Sequence, residues 1–306
     1  MLHQKIVPHL WFDQEAQEAA QFYTSIFPDS EITNISTVHD TPSGNSDVVS
    51  FHLAGYSFMA INGGPHFQFN PSISFVVNFA PSRDENAKEN LNLLWDKLSQ
   101  NGTPLMPLQA YPFSKHYGWI QDQYGLTWQL ILTNSEGKER PFIIPSMMYV
   151  QDVCGMAEEA SDFYLSVFDE SQRGEIARYP ADMEPDKEGT LMFTDFLLED
   201  QWFSAMDSAG PHEFTFNEAV SLLIQCENQE EVDYYWKKLS ADPLAEQCGW
   251  LKDSYGVTWQ VWPKIIGEMM EKGTNEQMDR VTKAFLKMKK YNIEKLKEAY
   301  RGSNLS

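Results

Sequence analysis

The stretch Gly118-Trp-Ile-Gln-Asp-Gln-Tyr-Gly-Leu-Thr-Trp-Gln-Leu130 returns 131 residues later as Gly249-Trp-Leu-Lys-Asp-Ser-Tyr-Gly-Val-Thr-Trp-Gln-Val261. Three further blocks recur in the same order. Ala19-Ala-Gln-Phe-Tyr-Thr-Ser-Ile-Phe27 answers Ala160-Ser-Asp-Phe-Tyr-Leu-Ser-Val-Phe168. Gly64-Pro-His66 and Asn70 answer Gly210-Pro-His212 and Asn217, and Trp95-Asp-Lys-Leu-Ser99 answers Trp236-Lys-Lys-Leu-Ser240. Four collinear matches make the chain two divergent copies of one domain. The expected division is 1–134 for the first copy, 135–140 for a polar linker, 141–263 for the second copy and 264–306 for a tail.

Within a copy the hydrophobic period alternates between strand and helix. A strand at His9–Phe12 precedes a helical stripe of Ala16, Ala19, Ala20, Tyr23 and Phe27. Alternating runs then cover Val49/Phe51/Leu53, Phe58/Ala60 and Ile73/Phe75/Val77/Phe79. A second helix carries Leu91, Leu94, Trp95 and Leu98, and two strands flank the Tyr124-Gly125 turn. The fold class is therefore α+β, with two βαβββ units per domain making a curved mixed sheet with helices outside. After Pro263 the pattern is helical, with Thr274 and Gln277 spaced as a capping box and Asn292 placed to cap a last helix.

The 306 residues carry 23 Lys+Arg against 44 Asp+Glu, a net charge of −21, which argues against nucleic-acid and anionic-membrane partners. The tail is the exception, with 10 Lys+Arg against 6 Asp+Glu, and reads as a helix complementing its own acidic domains. No run of about 18 apolar residues suggests a membrane span and the start has no signal-like pattern, so a cytoplasmic location is expected. Cys154, Cys226 and Cys248 form no CxxC pair and read as reduced, packed thiols.

Pro8-His-Leu-Trp-Phe-Asp13, the Phe22-Tyr-x-x-x-Phe27 helix, Gly63-Gly-Pro-His66 and the Gly249–Gln260 block resemble the PhnB-like branch of the vicinal-oxygen-chelate superfamily. Its members often carry the label 3-demethylubiquinone-9 3-methyltransferase, and the superfamily includes glyoxalase I, dioxygenases and bleomycin-sequestering proteins. The resemblance implies tandem cupped sheets and, in metal-dependent relatives, one His or Glu ligand from each of four strands. Carried over, those positions are His9, about Ala60, about Ser72 and Gln129 in the first copy, and Ser146, about Ala205, about Ala219 and Gln260 in the second. One imidazole and two amides without a carboxylate make a poor divalent site, so no cofactor is expected, a divalent metal being the alternative.

Period 2 turns His9, Trp11, Thr127 and Gln129 into the first cup, and Ser146, Met148, Thr258, Gln260 and Trp262 into the second. His9 is the candidate catalytic residue and the other eight are candidate ligand contacts. Such walls suit a small organic ligand. Three readings stay open: a metal-independent binding protein, an enzyme of lyase, dioxygenase or transferase type using His9, and a structural module whose cups are filled by their own side chains. No glycine-rich strand-to-helix turn supports an S-adenosylmethionine site. An intrachain pseudo-dimer and a homodimer are the expected assemblies.

Overall fold

The structure is a computed structural model describing residues 4–41, 44–134 and 138–302, so part of the expected linker and the last residues of the tail lie outside the described residues. Four successive units build the chain. The first is β1 (Ile6–Phe12), α1 (Ala16–Ile26), β2 (Glu31–Thr41), β3 (Gly44–Leu53) and β4 (Tyr56–Asn62). The second is β5 (Ile73–Phe79), α2 (Ala87–Leu98), β6 (Thr103–Tyr111), β7 (Ser114–Gln121) and β8 (Thr127–Leu132). The third is β9 (Ile143–Tyr149), α3 (Ala157–Val167), β10 (Ser171–Arg178), β11 (Leu191–Leu198) and β12 (Gln201–Asp207). The fourth is one strand short: β13 (Val220–Cys226), α4 (Gln229–Leu239), β14 (Trp250–Lys252) and β15 (Thr258–Pro263). The tail forms α5 (Lys264–Lys272), α6 (Asn275–Phe285) and α7 (Ile293–Arg301).

Two mixed sheets result, one of seven strands in the order β14-β15-β13-β1-β4-β3-β2 and one of eight in the order β10-β11-β12-β9-β5-β8-β7-β6. Each sheet holds two units, as the repeat predicts, but the two units come from different copies. The first unit pairs with the fourth through antiparallel β1 and β13, and the second with the third through antiparallel β5 and β9. The expectation that each copy lines its own cup is therefore corrected. Hydrophobic period fixes which face a residue takes, but not which distant strand lies alongside. The exchange is reciprocal: Asn70 donates to the Thr215 carbonyl at 3.0 Å and Asn217 to the Gln68 carbonyl at 2.8 Å, as in a two-fold interface. A single chain thus supplies both halves of each sheet.

Face assignment follows the strand period. Leu10, Phe12, Phe58, Ala60, Trp128, Leu130, Trp259 and Val261 join one continuous core beneath α1 to α4. His9, Trp11, Gln129, Ser146 and Gln260 take the opposite faces. Two equivalent networks tie the sheets together. Tyr23 of α1, a helix on the seven-stranded sheet, donates to Asp122 Oδ2 at 2.7 Å, and Trp128 Nε1 of the eight-stranded sheet donates to the same oxygen at 2.8 Å. The amides of Tyr124 and Leu126 donate to Oδ1. Tyr164, Trp259, Tyr255 and Val257 repeat the arrangement around Asp253.

The missing strand of the fourth unit is visible as a deletion. Eighteen residues separate Ser99 from Gly118, against eight between Ser240 and Gly249. The tail occupies this region: the amides of Cys248 and Gly249 donate to the carbonyls of Met288 and Lys289 at 2.9 and 2.8 Å. Thr274 and Gln277 form the expected capping box and Asn292 caps α7 by accepting from the Lys295 amide. Ile266, Met269, Val281, Tyr291, Leu296 and Ala299 make a small core separate from the main one. Lys289 and Lys290 pair with Glu246 and Asp233, and Lys264 pairs with Glu227, so the basic tail does meet acidic partners on the second copy. Among the described residues no helix is long and apolar enough to cross a membrane.

Candidate ligand-binding site

A cavity of about 720 Å³ lies against the inner face of the seven-stranded sheet. Val38, Val48, Met59, His9, Leu223, Gln260 and Trp250, one from each of its strands, face this single space, so the sheet curls around it. Its volume falls within the range of about 300–1,000 Å³ common for small-molecule sites.

His9 sits on β1 beside Met59 of β4 and Ser221 of β13. Gln260 Nε2 donates to Ser221 Oγ at 2.9 Å. These four side chains occupy the positions that the family resemblance assigns to metal ligands. The carried-over estimates are corrected accordingly: Ala60 and Ala205 face the core, and their inward neighbours are Met59 and Ser204. The fifth-strand positions are Ser74 and Ser221 rather than Ser72 and Ala219, because these register with Ser146 and His9. One imidazole, a thioether, a hydroxyl and an amide do not fit a divalent ion, which needs several imidazole or carboxylate donors together. Among the described residues no group of three or more His, Cys, Asp or Glu is gathered as metal ligands would be.

The His9 ring is buried, and its Nδ1 has no hydrogen-bond partner among the described residues. Burial lowers its pKa to about 4, so the imidazole is neutral at pH 7. Trp250 meets it edge-on at 5.6 Å and meets Trp11 at 5.8 Å. Trp11 is fixed by the Gly63-Gly64 pair: Nε1 donates to the Gly64 carbonyl at 2.8 Å, and a Cβ on Gly63 would lie 2.1 Å from the indole. Because that N–H is already satisfied, Trp11 presents its apolar ring surface to the cavity.

Of the nine candidate residues, His9, Trp11, Gln260 and Trp262 meet at this cavity. Thr258 is on the same sheet and donates to the Asn217 carbonyl. Thr127, Gln129, Ser146 and Met148 lie on the eight-stranded sheet instead. There Gln129 donates to Ser74 Oγ at 2.7 Å and accepts from the Tyr117 hydroxyl at 2.7 Å, with Ser204, Ser146 and Ser74 in register across three strands. Arg140, reaching in from the linker, stacks over Trp202 at 3.7 Å and bonds Asp195 at 2.6 Å.

Sequence reasoning missed Trp250, although its alternation with core residue Leu251 was readable, and missed the tail residues Met270, Met278, Thr282, Phe285 and Tyr291 that also line the cavity. Cys248 lines it too, with burial holding its thiol above the usual range and Sγ packed toward the Phe285 carbonyl, an arrangement suited to an inert thiol. His66 lies beside Trp11 at the cavity, whereas His212 bonds Ser208 in its turn.

A family model for 3-demethylubiquinone-9 3-methyltransferase matches residues 4–131 and 141–262. A PhnB protein from Bacillus cereus, described as a candidate member of the same enzyme class, is 39% identical over 42% of this chain and 100% of its own, with a TM-score of 0.38. A mutant glyoxalase I from Zea mays is 10% identical over 88% of this chain and 96% of its own, with a TM-score of 0.50. A candidate dioxygenase from Bacillus subtilis is 9% identical over 97% of this chain and 96% of its own, also with a TM-score of 0.50. At such identities the last two share the fold. No match was found among curated proteins.

Proposed function

Since the chain belongs to the 3-demethylubiquinone-9 3-methyltransferase family, we propose that it binds one small, uncharged organic molecule in the cavity of the seven-stranded sheet, with His9 as its polar contact. The observation that carries this reading is the cavity itself, about 720 Å³ and walled by Trp11, Trp250 and Trp262 around the neutral imidazole of His9. Aromatic walls favour apolar and planar ligands, and an enclosed Nδ1 leaves Nε2 to meet whatever the cavity holds. Glu218 is the charged side chain among the described residues at the cavity and is already paired with Lys252 at 2.9 Å, so among them neither an anion nor a cation finds a free counter-charge.

Proton-transfer chemistry is the second reading. It is disfavoured because an imidazole with a pKa of about 4 is a weak base at neutral pH. The methyl transfer in the family's name also finds little support in the residues. The Gly63-Gly64 pair is not a strand-to-helix nucleotide-binding turn: it follows β4 and leads toward β5, and it seats Trp11.

Calorimetric titration with 2-naphthol and with 2-naphthoate tests the proposal. One molecule of 2-naphthol per chain is expected, with the carboxylate at least tenfold weaker. His9→Leu should weaken 2-naphthol by about five- to tenfold, the effect of one lost hydrogen bond of about 1 to 1.4 kcal/mol. Ser146→Ala, on the other sheet, should be silent. Equal affinity for the two probes, or loss through Ser146→Ala alone, would contradict the reading.

A further inference from the structure

Resting on the reading above, we infer that the C-terminal helices, rather than the repeated units, determine which molecules fit: α5 and α6 are the specificity wall of the site. The repeat supplies the sheet, and the fourth unit lacks the strand that its counterpart has in β6. The tail fills that side. Met270 of α5, and Met278, Thr282 and Phe285 of α6, face the cavity opposite the sheet, with Tyr291 following. Unbranched thioethers and an aromatic ring form a surface that adapts to different apolar shapes.

The way this wall is held differs from the sheet. Met270, Met278, Phe285 and Tyr291 belong to a small satellite core, and α6 packs against β2, an edge strand. Arg280 ties α6 to α7 through the carbonyls of Ala299 and Tyr300. The tail then joins the second copy at Cys248 and Gly249. Gly118 marks what has been replaced. A Cβ there would meet Trp95 of its own copy, whereas the equivalent Gly249 leaves room for Tyr291 of the tail. A ligand seated on the sheet completes the contacts of α5 and α6, so tail docking and binding are coupled, each strengthening the other to the same degree.

Two uncharged probes of different size, 2-naphthol and 1-hydroxypyrene, separate the possibilities when used on the full chain. In wild type, saturation with 1-hydroxypyrene should slow amide hydrogen exchange across 264–285 at least fivefold. Thr282→Trp, which fills the cavity from the tail side, should weaken 1-hydroxypyrene at least tenfold more than 2-naphthol. Should that variant fail to dock its tail, Met278→Ala gives a second reading, because it must also change the ratio of the two affinities. Unchanged exchange in the tail on binding, or an affinity ratio the same in wild type and both variants, would overturn the inference while leaving the site in the cup intact. Failure of both probes to bind wild type would overturn the inference and the site together.

Discussion

Replacing Asp122 by alanine is expected to destabilise the chain by about 4 kcal/mol, and Asp253→Ala by a similar amount. Each carboxylate accepts four hydrogen bonds, from a tyrosine, a tryptophan and two turn amides, all buried except the partly buried one from the Tyr124 amide. Deleting the acceptor leaves four donors unpaired, at about 1 to 3 kcal/mol for each that finds no water. It also unties a helix on one sheet from a strand of the other. Asparagine should cost less, because its single oxygen can serve one side of the network but its amide faces donors on the other. Chemical denaturation at pH 7 checks the order, alanine worse than asparagine. A loss below 1 kcal/mol for alanine would show that the network does not hold the sheets.

The same groups set a pH dependence. Burial raises both carboxyls to about 6, so between that value and the unfolded value near 3.8 the folded chain holds more protons than the unfolded one. Their contribution is present at low pH and lost as pH rises through about 6, about 3 kcal/mol each. His9 opposes them: its pKa falls from 6.5 to about 4, so its contribution is present above 6.5 and lost as pH falls toward 4. Relative to wild type, Asp122→Asn should therefore lose stability between pH 7 and 5, and His9→Leu should gain it.

The second large effect is expected at Gly249. Its φ of +82° already disfavours any other residue, and a Cβ would lie 2.4 Å from the Tyr291 ring and 3.0 Å from the Val261 carbonyl. Gly249→Ala should cost about 2 to 4 kcal/mol, combining backbone strain of about 1 to 2 kcal/mol with a clash that undocks the tail. Gly125, at φ +91°, has nothing nearer than 3.7 Å to a Cβ, so Gly125→Ala should show the strain alone. Tryptic cleavage within 264–301 should accelerate in the Gly249 variant and not in the Gly125 variant. Equal cleavage in the two would mean that Tyr291 does not anchor the tail.

The units, their helices and the face of each strand residue were readable because burial imposes periods of 3.6 and 2 on the sequence. His9, Trp11, Gln260 and Trp262 were placed inward on that basis, and they do share a cavity. The partnership of strands was not readable. Nothing in the pattern of β1 distinguishes β8 from β15 as its companion across the cup, since both carry Thr-Trp-Gln, so Thr127 and Gln129 were set beside His9 when they belong to the other sheet. Met59 was missed by one residue, and one residue is the difference between the cup and the core. The tail's stripe showed that it docks, whereas its role as a cavity wall depends on a deletion in the fourth unit that matters only once the sheet is closed.

We propose that the ligand sits in the cup of the seven-stranded sheet rather than in that of the eight-stranded sheet. Leu223 projects into it from β13, and Val76 holds the corresponding place on β5, two residues beyond Ser74 as Leu223 is beyond Ser221. Fluorescence titration of 1-hydroxypyrene into Leu223→Trp and Val76→Trp, each first shown to melt cooperatively, compares the two cups directly. At least a tenfold loss of affinity is expected in Leu223→Trp and wild-type affinity in Val76→Trp; the opposite pattern, or binding untouched by both, would place the ligand outside the seven-stranded cup.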